Sequence, residues 1–594
     1  MTAPNANTLW GTAVSEELAR AGVSAVCVAP GSRSTPLTVA LYDHPGIRVL
    51  SHLDERSAAY FALGRAKRTG EPTPLICTSG TAAANFHPAV IEASNARVPL
   101  LVLTADRPPE LHDSGANQTI DQEKLYGDAV RWYRTLPEPR AAPRRLRSLR
   151  TTVSRAVAES TGTPPGPVHL NCPFSKPLEP TEVPGDVPEA FASDHPRAAS
   201  GRGTDGSGQR PYVAVSRSRL TLDSEALAGV VDAIENADRG LIVAGPADAP
   251  TPDRDALSAL ASAAGFPVLA DPLSGIRFGP HVAETPVSGG YDSYLDPGVT
   301  GGWPDPDIVL RFGASPTSKT LRRYLERVDA RQFLVDPAGG WREATFTATN
   351  LVAADPSWLA RTLAERVDGA EKGSRRSWRG RVRRAEEAYW DLIGDAELPR
   401  EPAVLATVAA EIPDPATLFV GNSMPVRDLD RFARPREADL RVLGNRGASG
   451  IDGITSTALG AGSATDDPLV LVTGDLAYYH DMNGLLALGR CDVEATVVEI
   501  NNDGGGIFHM LPIEDFEPFE EGFKTPHGLD FAPTGELYDL AFRRERSIDG
   551  LRDALAATLD APGSHVIEVE SDAERSHRRR EALQERIVDE LGPP

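Results

Sequence analysis

Two polar segments near the C-terminus have the residue types and spacing to hold a diphosphate through a metal ion. Asp475 follows the apolar run 468–473, and Asn502 follows a second apolar run at 495–500. A carboxylate, an amide oxygen and a backbone carbonyl from the turn 503–506 are hard oxygen ligands that suit Mg²⁺ but are too few to enclose it. Phosphate oxygens and water usually complete such a site. We therefore predict a metal-bridged diphosphate; the alternative is an Asn-Asp-Gly-Gly turn that only ends a strand.

The two apolar runs are the elements that must position these ligands. Each run is short and continuous, which is typical of a buried parallel strand. Residues 481–490 between them have room for about three helical turns, so the segment predicts a β-α-β unit. Neighbouring parallel strands open their carboxyl ends on the same edge of the sheet, where α/β proteins bind ligands. Asp475 and Asn502 are therefore expected to be adjacent in space.

Turns in the N-terminal third also carry polar residues at predicted strand ends. The turn 30–36 contains hydroxyl side chains and an arginine and opens a helix predicted at 36–42. Free backbone N–H groups and the helix dipole favour an anion there, although Ser-Thr-Pro is equally typical of a simple helix cap. Glu55 lies between a predicted strand and a helix predicted at 58–65. Taken alone, it is typical of a solvated charge at a helix start.

The alternation of strand, turn and helix along the chain predicts an α/β fold. We expect three domains, each an open, mostly parallel sheet flanked by helices, with the first and third alike. A Pro-, Gly- and Ser-rich stretch predicts a linker, and an Arg- and Glu-rich stretch predicts a helical connector. The predicted segments are 1–180 (first domain), 181–211 (linker), 212–368 (central domain), 369–400 (connector) and 401–594 (third domain).

Composition limits the possible functions. The chain has 594 residues, and its net charge is −23, with only six lysines among 61 basic residues. Such an acidic protein is a poor partner for nucleic acid or anionic membranes. Neither a signal peptide nor a membrane-spanning apolar run is evident, which predicts a cytoplasmic protein without membrane insertion. The four cysteines are widely separated in apolar runs, which predicts buried thiols rather than disulfides or a zinc site.

Seven segments form a pattern that is specific when they are taken together and in order. They are Gly31–Pro36, Asp54–Arg56, Thr78–Ala82, Ala105–Glu110, Gly421–Ser423, Asn445–Gly453 and Gly474–Leu476. This pattern resembles the family of 2-succinyl-5-enolpyruvyl-6-hydroxy-3-cyclohexene-1-carboxylate (SEPHCHC) synthases, which are thiamin-diphosphate enzymes. The likeness is strong in the first and third domains and weak in the central one. Leu476 replaces the glycine of most thiamin-diphosphate enzymes, as it does in this family.

The resemblance implies an enzyme of menaquinone biosynthesis. The family uses thiamin diphosphate and Mg²⁺ (or Mn²⁺) to decarboxylate 2-oxoglutarate and to add the resulting succinyl-semialdehyde carbanion to isochorismate. The first domain would bind the pyrimidine of the cofactor and the third its diphosphate. Because these domains come from different subunits in such enzymes, a homodimer or a dimer of dimers is implied.

The resemblance also implies roles for particular residues. Glu55 would hydrogen-bond the aminopyrimidine, Ile451 would support the bent cofactor, and Asp475, Asn502 and the Gly504 carbonyl would bind the metal. The full implied cofactor-binding set is Glu55, Ser423, Ile451, Gly474, Asp475, Leu476, Asn502, Gly504, Gly505, Ile507 and Phe508.

Both implied substrates are dicarboxylates, so cationic and polar side chains are expected to bind them. Ser32 is a candidate because it matches a family position. Among the other candidates at such positions, we assign Arg33, Arg107, Gln118 and Lys319 toward isochorismate. Ser423, Arg427 and Arg446 are assigned toward the oxoglutarate-derived carboxylate. Some family members have Arg after the central-domain lysine, whereas this chain has Thr320; either Arg322 or Arg323 substitutes, or the contact is dispensable.

Two other functions compete with this interpretation. One is a different thiamin-diphosphate decarboxylase or carboligase, such as an acetolactate-synthase-like enzyme, which the turn 30–36 combined with Asn445–Gly453 disfavours. The other is a non-catalytic regulatory or binding protein that keeps the fold. Retention of Glu55, Asp475 and Asn502 argues against it.

Overall fold

The computed structural model describes residues 3–202, 210–368 and 372–593. Part of the predicted linker (203–209) and the first residues of the predicted connector (369–371) lie outside this description. The chain forms two compact units. Unit 1 contains Met1–Arg217, Asn445–Asp466 and Asp481–Val493, and unit 2 contains Ser218–Gly444, Asp467–His480 and Glu494–Pro594.

Unit 1 contains the first of three six-stranded sheets, all of whose strand pairs are parallel. Its strands are β1 (Ala25–Val28), β2 (Arg48–Ser51), β3 (Thr73–Cys77), β4 (Leu100–Asp106), β5 (Trp132–Thr135) and β6 (Pro167–Pro173), in the order β2-β1-β3-β4-β6-β5. In chain order up to residue 199, the α-helices are α1 (Ala6–Arg20), α2 (Thr35–Tyr42), α3 (Glu55–Thr69), α4 (Thr81–Asn85), α5 (His87–Asn95), α6 (Pro143–Ser160), α7 (Phe191–Asp194) and α8 (Pro196–Ala199).

The second sheet, in unit 2, is a doubly wound parallel sheet. Its strands are β7 (Gly240–Ala244), β8 (Val268–Ala270), β9 (Val287–Ser288), β10 (Ile308–Phe312), β11 (Arg331–Val335) and β12 (Asn350–Val352), in the order β12-β11-β10-β7-β8-β9. The strand order therefore reverses between β7 and β10. Its helices are α9 (Ser224–Asn236), α10 (Arg254–Ala264), α11 (Tyr291–Tyr294), α12 (Pro297–Thr300), α13 (Lys319–Arg327), α14 (Pro356–Arg366) and α15 (Gly373–Asp395).

The third sheet, also in unit 2, repeats the strand order of the first. Its strands are β13 (Ala416–Val420), β14 (Leu440–Leu443), β15 (Leu469–Gly474), β16 (Thr496–Asn501), β17 (Ala541–Glu545) and β18 (His565–Glu570), in the order β14-β13-β15-β16-β18-β17. The remaining helices are α16 (Arg400–Glu411), α17 (Met424–Phe432), α18 (Ile454–Gly462), α19 (Asp475–His480), α20 (Ala487–Cys491), α21 (Pro533–Tyr538), α22 (Ile548–Leu559) and α23 (Ala573–Leu591). The predicted likeness of the first and third sheets is confirmed.

Short 3-10 helices occupy several of the turns between these elements. They are Ser32–Ser34, Pro109–Leu111, Gly127–Ala129, Pro272–Ser274, Pro280–Ala283, Met482–Leu486, Gly506–Met510 and Pro512–Asp515, and Glu520–Lys524 forms one π-helical turn.

The central strands form because their apolar runs are buried on both faces by the flanking helices. Every residue of β1, β3, β4 and β6 is buried, and the same holds for β7, β10 and β13. This is the pattern of parallel sheets with covered faces. The four cysteines are free and buried, as predicted. Across the described ranges, every helix is too short or too polar to cross a membrane.

Helix α3 is buried on most of its surface and packs closely against α18 within unit 1. Two glycines permit this approach: a Cβ on Gly64 would lie 1.9 Å from the Thr457 carbonyl oxygen, and one on Gly460 would lie 1.9 Å from the Phe61 carbonyl oxygen. The segment 445–466, which is far from α3 in sequence, is thereby part of the same compact unit.

Two helix starts differ from the sequence-based expectation. Helix α3 begins at Glu55 rather than Ala58, because the Asp54 side chain accepts from the Ser57 N–H and caps the helix there. The helix predicted at 481–490 is wrong in its start: α19 already begins at Asp475, followed by a 3-10 helix at Met482–Leu486 and by α20.

Candidate active site

The predicted site residues are divided between the two compact units. Unit 1 contains Ser32, Arg33, Glu55, Arg107, Gln118, Arg446 and Ile451, whereas unit 2 contains Lys319, Ser423, Arg427, Gly474, Asp475, Leu476, Asn502, Gly504, Gly505, Ile507 and Phe508. Within each unit, most of these residues follow the carboxyl ends of parallel strands. This is the edge at which ligands of open α/β sheets bind.

In unit 2, Asp475 and Asn502 lie next to each other, as predicted. Strands β15 and β16 are parallel neighbours, with Gly474 in register with Ile500. The Asp475 Oδ2 accepts from the backbone N–H groups of Asn502 at 3.1 Å and Gly504 at 3.0 Å. Its Oδ1 accepts from the Leu476 N–H at 2.6 Å. We call Asp475, Asn502 and Gly504 the Asp475 cluster.

The Asp475 cluster has the features of a cation site. Burial raises the pKa of the Asp475 carboxyl above its ordinary value, although the Gly504 and Leu476 N–H groups and His527 oppose this shift. The Asn502 Nδ2 donates to Glu401 Oε1 at 2.8 Å, but its Oδ1 is buried and has no hydrogen-bond partner among the described residues. A buried oxygen without a partner costs stability. A bound cation would satisfy this oxygen and favour the ionised carboxylate.

A metal ion bound at the Asp475 cluster would need further ligands from outside the chain. In the described part of the chain, no group of three or more His, Cys, Asp or Glu side chains is placed to hold a metal ion. The Asp475 cluster provides one carboxylate, one amide oxygen and one backbone carbonyl. Mg²⁺ bound in this way takes its remaining ligands from phosphate and water. The residues present therefore fit a metal bridging to a diphosphate.

The glycine turn after β16 needs its glycines. Gly504 has φ +141°, and a Cβ there would lie 2.2 Å from the Lys524 carbonyl oxygen. The Gly505 N–H donates to the same oxygen at 2.7 Å, which fixes the turn. Ile507 and Phe508 follow in the 3-10 helix and are half-buried, with the Phe508 ring 5.6 Å from that of Phe523. An apolar surface thus lies beside the cluster.

Ser423 and Arg427 follow β13, which is the other neighbour of β15. Ser423 has φ +68° and ψ −125°, a conformation that non-glycine residues rarely adopt. Such strain is concentrated at functional sites, where the surrounding structure maintains it. The Arg427 Nη1 donates to the Ser423 carbonyl oxygen at 2.5 Å. Ser423, Asp475 and Asn502 therefore follow three adjacent strand ends of the third sheet.

In unit 1, the predicted residues follow four consecutive strand ends of the first sheet. Glu55 follows β2, Arg33 follows β1, and Arg107 follows β4; Gln118 lies against the turn after β3, where its Nε2 donates to the Ser79 carbonyl oxygen at 3.1 Å. Glu55 is half-buried and makes no side-chain hydrogen bond to the described residues. Its carboxylate is therefore available to a ligand. Ser32 is exposed beside Arg33.

Arg33 and Arg107 form a cationic pair with unused donors. Arg33 is 4% exposed, and its Nη1 donates to the Phe174 carbonyl oxygen at 2.6 Å. Burial lowers the pKa of Arg33, and the neighbouring Arg107 lowers it further, while Asp106 opposes both. In the described structure, the Nε atoms of both arginines are buried without a partner. An anionic ligand would satisfy these donors.

The loop that carries Arg446 and Ile451 is fixed by a residue that the sequence did not reveal. Glu92 on α5 is fully buried and accepts from the N–H groups of Gly447 (2.9 Å), Ala448 (2.6 Å) and Ser449 (2.8 Å). Lys67 lies 3.3 Å from the Glu92 carboxylate. The only hint in the sequence is a glutamate on the apolar face of α5, among Ala89, Val90 and Ala93.

A second set of contacts anchors the end of this loop to α3. Arg56 pairs with Asp452 and, at 3.2 Å, with Asp481, while the Tyr60 hydroxyl donates to Asp452 at 3.0 Å. Burial raises the pKa of Asp481 to about 6, although the Ser456 N–H and Arg56 oppose this shift. Ile451, between the two anchors, is 37% exposed. The loop is thus held at both ends with Ile451 presented to solvent or ligand.

Glu92→Gln is expected to loosen this loop. Burial alone would raise the pKa of Glu92, but Lys67 and the three N–H groups outweigh it, so the folded-state pKa lies below its ordinary value. A carboxyl with a lowered pKa stabilises the fold above its unfolded-state pKa, and the contribution is lost as the pH falls through the folded-state pKa. At pH 7 the Glu92 carboxylate therefore stabilises the loop, and glutamine removes its charge. We expect amide hydrogen exchange at 447–449 in the variant to accelerate at least about tenfold at pH 7, measured by mass spectrometry.

The matched control is Glu159→Gln, which removes an exposed i,i+4 partner of Arg155. Exchange at 447–449 should not change in this variant. Unchanged exchange in Glu92→Gln would mean that the carboxylate does not hold the loop.

Comparison with known proteins finds three matching family descriptions along the chain. The family description "Thiamine pyrophosphate enzyme, N-terminal TPP binding domain" matches residues 10–125, "Middle domain of thiamine pyrophosphate" matches 208–420, and "Thiamine pyrophosphate enzyme, C-terminal TPP binding domain" matches 428–569. A Rhodococcus jostii thiamine diphosphate-dependent 4-hydroxybenzoylformate decarboxylase has the same fold, with a TM-score of 0.70, 18% identity, and coverage of 95% of this chain and 99% of that one. The three family descriptions, together with the shared fold, place the chain among the thiamin-diphosphate enzymes.

Curated relatives narrow this class. Proteins named 2-succinyl-5-enolpyruvyl-6-hydroxy-3-cyclohexene-1-carboxylate synthase match from Haloarcula marismortui (63% identity, 100% of each chain), Halobacterium salinarum (61%, 99% of each) and Roseiflexus castenholzii (46%, 98% of each). The chain belongs to the SEPHCHC synthase family.

Proposed function

We propose that this chain is a transferase that decarboxylates 2-oxoglutarate and adds the four-carbon remainder to isochorismate, giving SEPHCHC and CO₂ in menaquinone biosynthesis. The observation that carries the proposal is the 63% identity, over the whole of both chains, to a relative with that name. The buried Arg33 and the half-buried Arg107, each with a buried Nε that lacks a partner in the described structure, add physical support because both substrates are dicarboxylates.

The cofactor is thiamin diphosphate, which when bound supplies the carbon centre that makes loss of CO₂ from a 2-oxo acid feasible. Glu55 would hold a proton between its carboxylate and the aminopyrimidine ring. Its lack of a hydrogen-bond partner in the described structure supports this role. Ile451 would support the cofactor rings from below, and Ile507 and Phe508 would exclude water from the apolar side of the site.

Asp475, Asn502 and the Gly504 carbonyl would bind Mg²⁺ or Mn²⁺ and so retain the diphosphate. The buried, unpaired Asn502 Oδ1 supports this assignment. Gly474 and Leu476, which flank Asp475, and Gly505 would shape the backbone around the phosphates. The turn of Gly504 and Gly505 has no space for side chains.

For the substrates, Ser32, Arg33, Arg107, Gln118 and Lys319 would bind isochorismate, and Ser423, Arg427 and Arg446 would bind the carboxylate derived from 2-oxoglutarate. Lys319 is the first residue of α13 and is exposed. Arg322 lies one turn later, and its Nε points back to the Ser318 carbonyl oxygen at 3.4 Å, whereas Arg323 is exposed. Either Arg322 or Arg323 could take the place of the arginine that directly follows this lysine in some family members.

The assembly and location complete the proposal. A homodimer, or a dimer of dimers, would bring the first domain of one subunit to the third domain of another, as in the enzymes this chain resembles. The mass of the protein in solution measures its oligomeric state directly. Four unpaired, buried thiols support a reducing compartment such as the cytoplasm.

Arg33→Ala is expected to raise the KM for isochorismate about tenfold or more, because a charge-assisted contact to a carboxylate is lost. The KM for 2-oxoglutarate should change much less. Arg147→Ala, which removes an exposed arginine of α6, is the control. An unchanged KM for isochorismate in a folded Arg33→Ala protein would show that isochorismate does not bind at Arg33.

The reaction itself is tested by incubating the protein with thiamin diphosphate, Mg²⁺, 2-oxoglutarate and isochorismate. Mass spectrometry should detect SEPHCHC and released CO₂. Turnover of pyruvate in the absence of isochorismate, without SEPHCHC, would contradict the proposal and favour an acetolactate-synthase-like activity.

A further inference from the structure

A buried chain of polar contacts connects Asn502 to the C-terminal helix α23. The Asn502 Nδ2 donates to Glu401 Oε1 at 2.8 Å, and Arg580 Nη2 donates to Glu401 Oε2 at 2.7 Å. Arg580 also forms a two-point contact with Asp428, through Nε at 2.9 Å and Nη2 at 2.5 Å. Glu401, Asp428 and Arg580 are 1%, 2% and 6% exposed. We call these three residues the Arg580 bridge.

The Arg580 bridge decides which way the Asn502 amide faces. A carboxylate can only accept hydrogen bonds, and both Glu401 oxygens already do so: one from Arg580 and one from Asn502. The amide nitrogen of Asn502 must therefore face Glu401. The amide oxygen consequently faces away, where it is buried and lacks a partner in the described structure.

The local packing leaves little room for another arrangement. A Cβ on Gly506 would lie 2.8 Å from the Asn502 Nδ2 and 3.1 Å from the Ala573 Cβ, so the amide fits only because this residue is glycine. Ala573 is the first residue of α23, which carries Arg580. Helix α23 lies beyond residues 428–569, the part matched by the general C-terminal thiamine pyrophosphate domain.

The bridge also reaches the helix that carries the predicted substrate ligands. Asp428 follows Arg427 directly in α17, and Ser423 precedes that helix as its cap. One guanidinium therefore contacts both the carboxylate that orients Asn502 and the helix of Arg427. A buried arginine suits this task because its planar fork binds two carboxylates in fixed directions.

We infer that Glu401 and Arg580 are positioning residues for the metal site, holding Asn502 so that its Oδ1 faces the cation. The inference rests on the proposed metal site and deepens it. Groups that orient metal ligands in this way typically change metal affinity about 10- to 100-fold when they are altered.

Glu401→Gln is the primary test, because it preserves volume and exchanges one acceptor for a donor. The Gln oxygen would stay with the charged Arg580, which leaves the Gln N–H₂ facing Asn502. Asn502 would then turn its oxygen toward residue 401 and its nitrogen toward the cation. We expect the Mg²⁺ concentration for half-maximal thiamin diphosphate retention, measured by titration calorimetry or equilibrium dialysis, to rise at least about tenfold.

The double variant Glu401→Gln/Asn502→Asp exchanges donor and acceptor across the same hydrogen bond. The aspartate accepts from the Gln N–H₂ with one oxygen and offers the other to the cation, with the same total charge as the natural pair. It should bind Mg²⁺ at least about tenfold more tightly than Glu401→Gln alone. A bridge that only anchored α23 would let Asn502→Asp tighten Mg²⁺ binding equally in the natural protein and in Glu401→Gln, and that result would overturn the inference.

Two comparisons keep the outcomes separate. Glu343→Gln is the control, because it alters a buried carboxylate outside the Arg580 bridge that accepts from the Thr347 N–H at 2.7 Å and pairs with Arg311. The Mg²⁺ dependence of thiamin diphosphate retention in this variant should equal that of the natural protein. If the natural protein retains thiamin diphosphate without any divalent ion, the proposed metal site itself fails. If it requires the ion and folded Glu401→Gln requires no more of it, the positioning role alone fails.

Discussion

The Glu55→Gln protein is expected to bind thiamin diphosphate but to form SEPHCHC at least about a hundredfold more slowly. Groups that hold or transfer a proton in the reaction typically contribute about 10²- to 10⁴-fold to the rate. Glutamine retains the size of Glu55 but cannot carry the proton between a carboxylate and the aminopyrimidine. Steady-state kinetics should therefore show a reduced kcat, with the apparent affinity for the cofactor changed much less.

Glu71→Gln provides the matched control, since it makes the same substitution at an exposed position just after α3. Its kcat should equal that of the natural protein. A Glu55→Gln protein with near-natural kcat would show that this carboxylate does not act on the cofactor.

The second large effect is expected for Asp475→Ala, which should lose Mg²⁺-dependent retention of thiamin diphosphate. The substitution removes the one carboxylate of the Asp475 cluster. It also leaves the Asn502 and Gly504 N–H groups without their acceptor, at a cost of about 1–3 kcal/mol for each buried group left unpaired. Calorimetric titration with thiamin diphosphate, at several Mg²⁺ concentrations, should show at least about a hundredfold weaker binding.

Asp503→Asn is a sharp control in the same turn. Asp503 is 54% exposed and accepts from the His527 and Gly528 N–H groups, and asparagine tolerates its φ of +57°. This variant should bind the cofactor within about threefold of the natural protein. Undiminished binding of thiamin diphosphate by Asp475→Ala would show that the metal does not bind at the Asp475 cluster.

The central strands and their neighbours could be predicted from the sequence because they are buried on both faces. The apolar runs 468–473 and 495–500 correspond to β15 and β16, and the parallel pairing of these strands places Asp475 beside Asn502. Strand order could not be predicted in the same way. The strand that comes last in the sequence of the first sheet, β6, lies between β4 and β5 rather than at an edge.

The strands that the sequence did not reveal are mainly edge strands. β5 (Trp-Tyr-Arg-Thr) and β17 (Ala-Phe-Arg-Arg-Glu) contain charged residues and are only partly buried. An edge strand pairs on one side and meets solvent on the other, so it does not require a continuous apolar run. The helix start at Asp475 was not predicted, because α19 begins directly at the end of β15 with no intervening loop. The Asp475 Oδ1 accepts from the adjacent Leu476 N–H at the helix start.

The buried polar contacts were beyond prediction because they join residues far apart in sequence. Glu92 contacts a loop more than 350 residues away, and Glu401 contacts Asn502 across about a hundred. Nothing in local periodicity indicates which buried charge meets which. The assigned roles of the site residues themselves stay predictions that the substitutions above test.

The most direct test of the account is anomalous diffraction from crystals grown with thiamin diphosphate and Mn²⁺. The account predicts a manganese peak about 2.1 Å from Asp475 and from the Asn502 Oδ1, bridging to the diphosphate, with Glu55 in hydrogen-bond contact with the aminopyrimidine of the same cofactor. A peak bound elsewhere, or a cofactor that contacts the Asp475 cluster but not a Glu55 carboxylate, would contradict it.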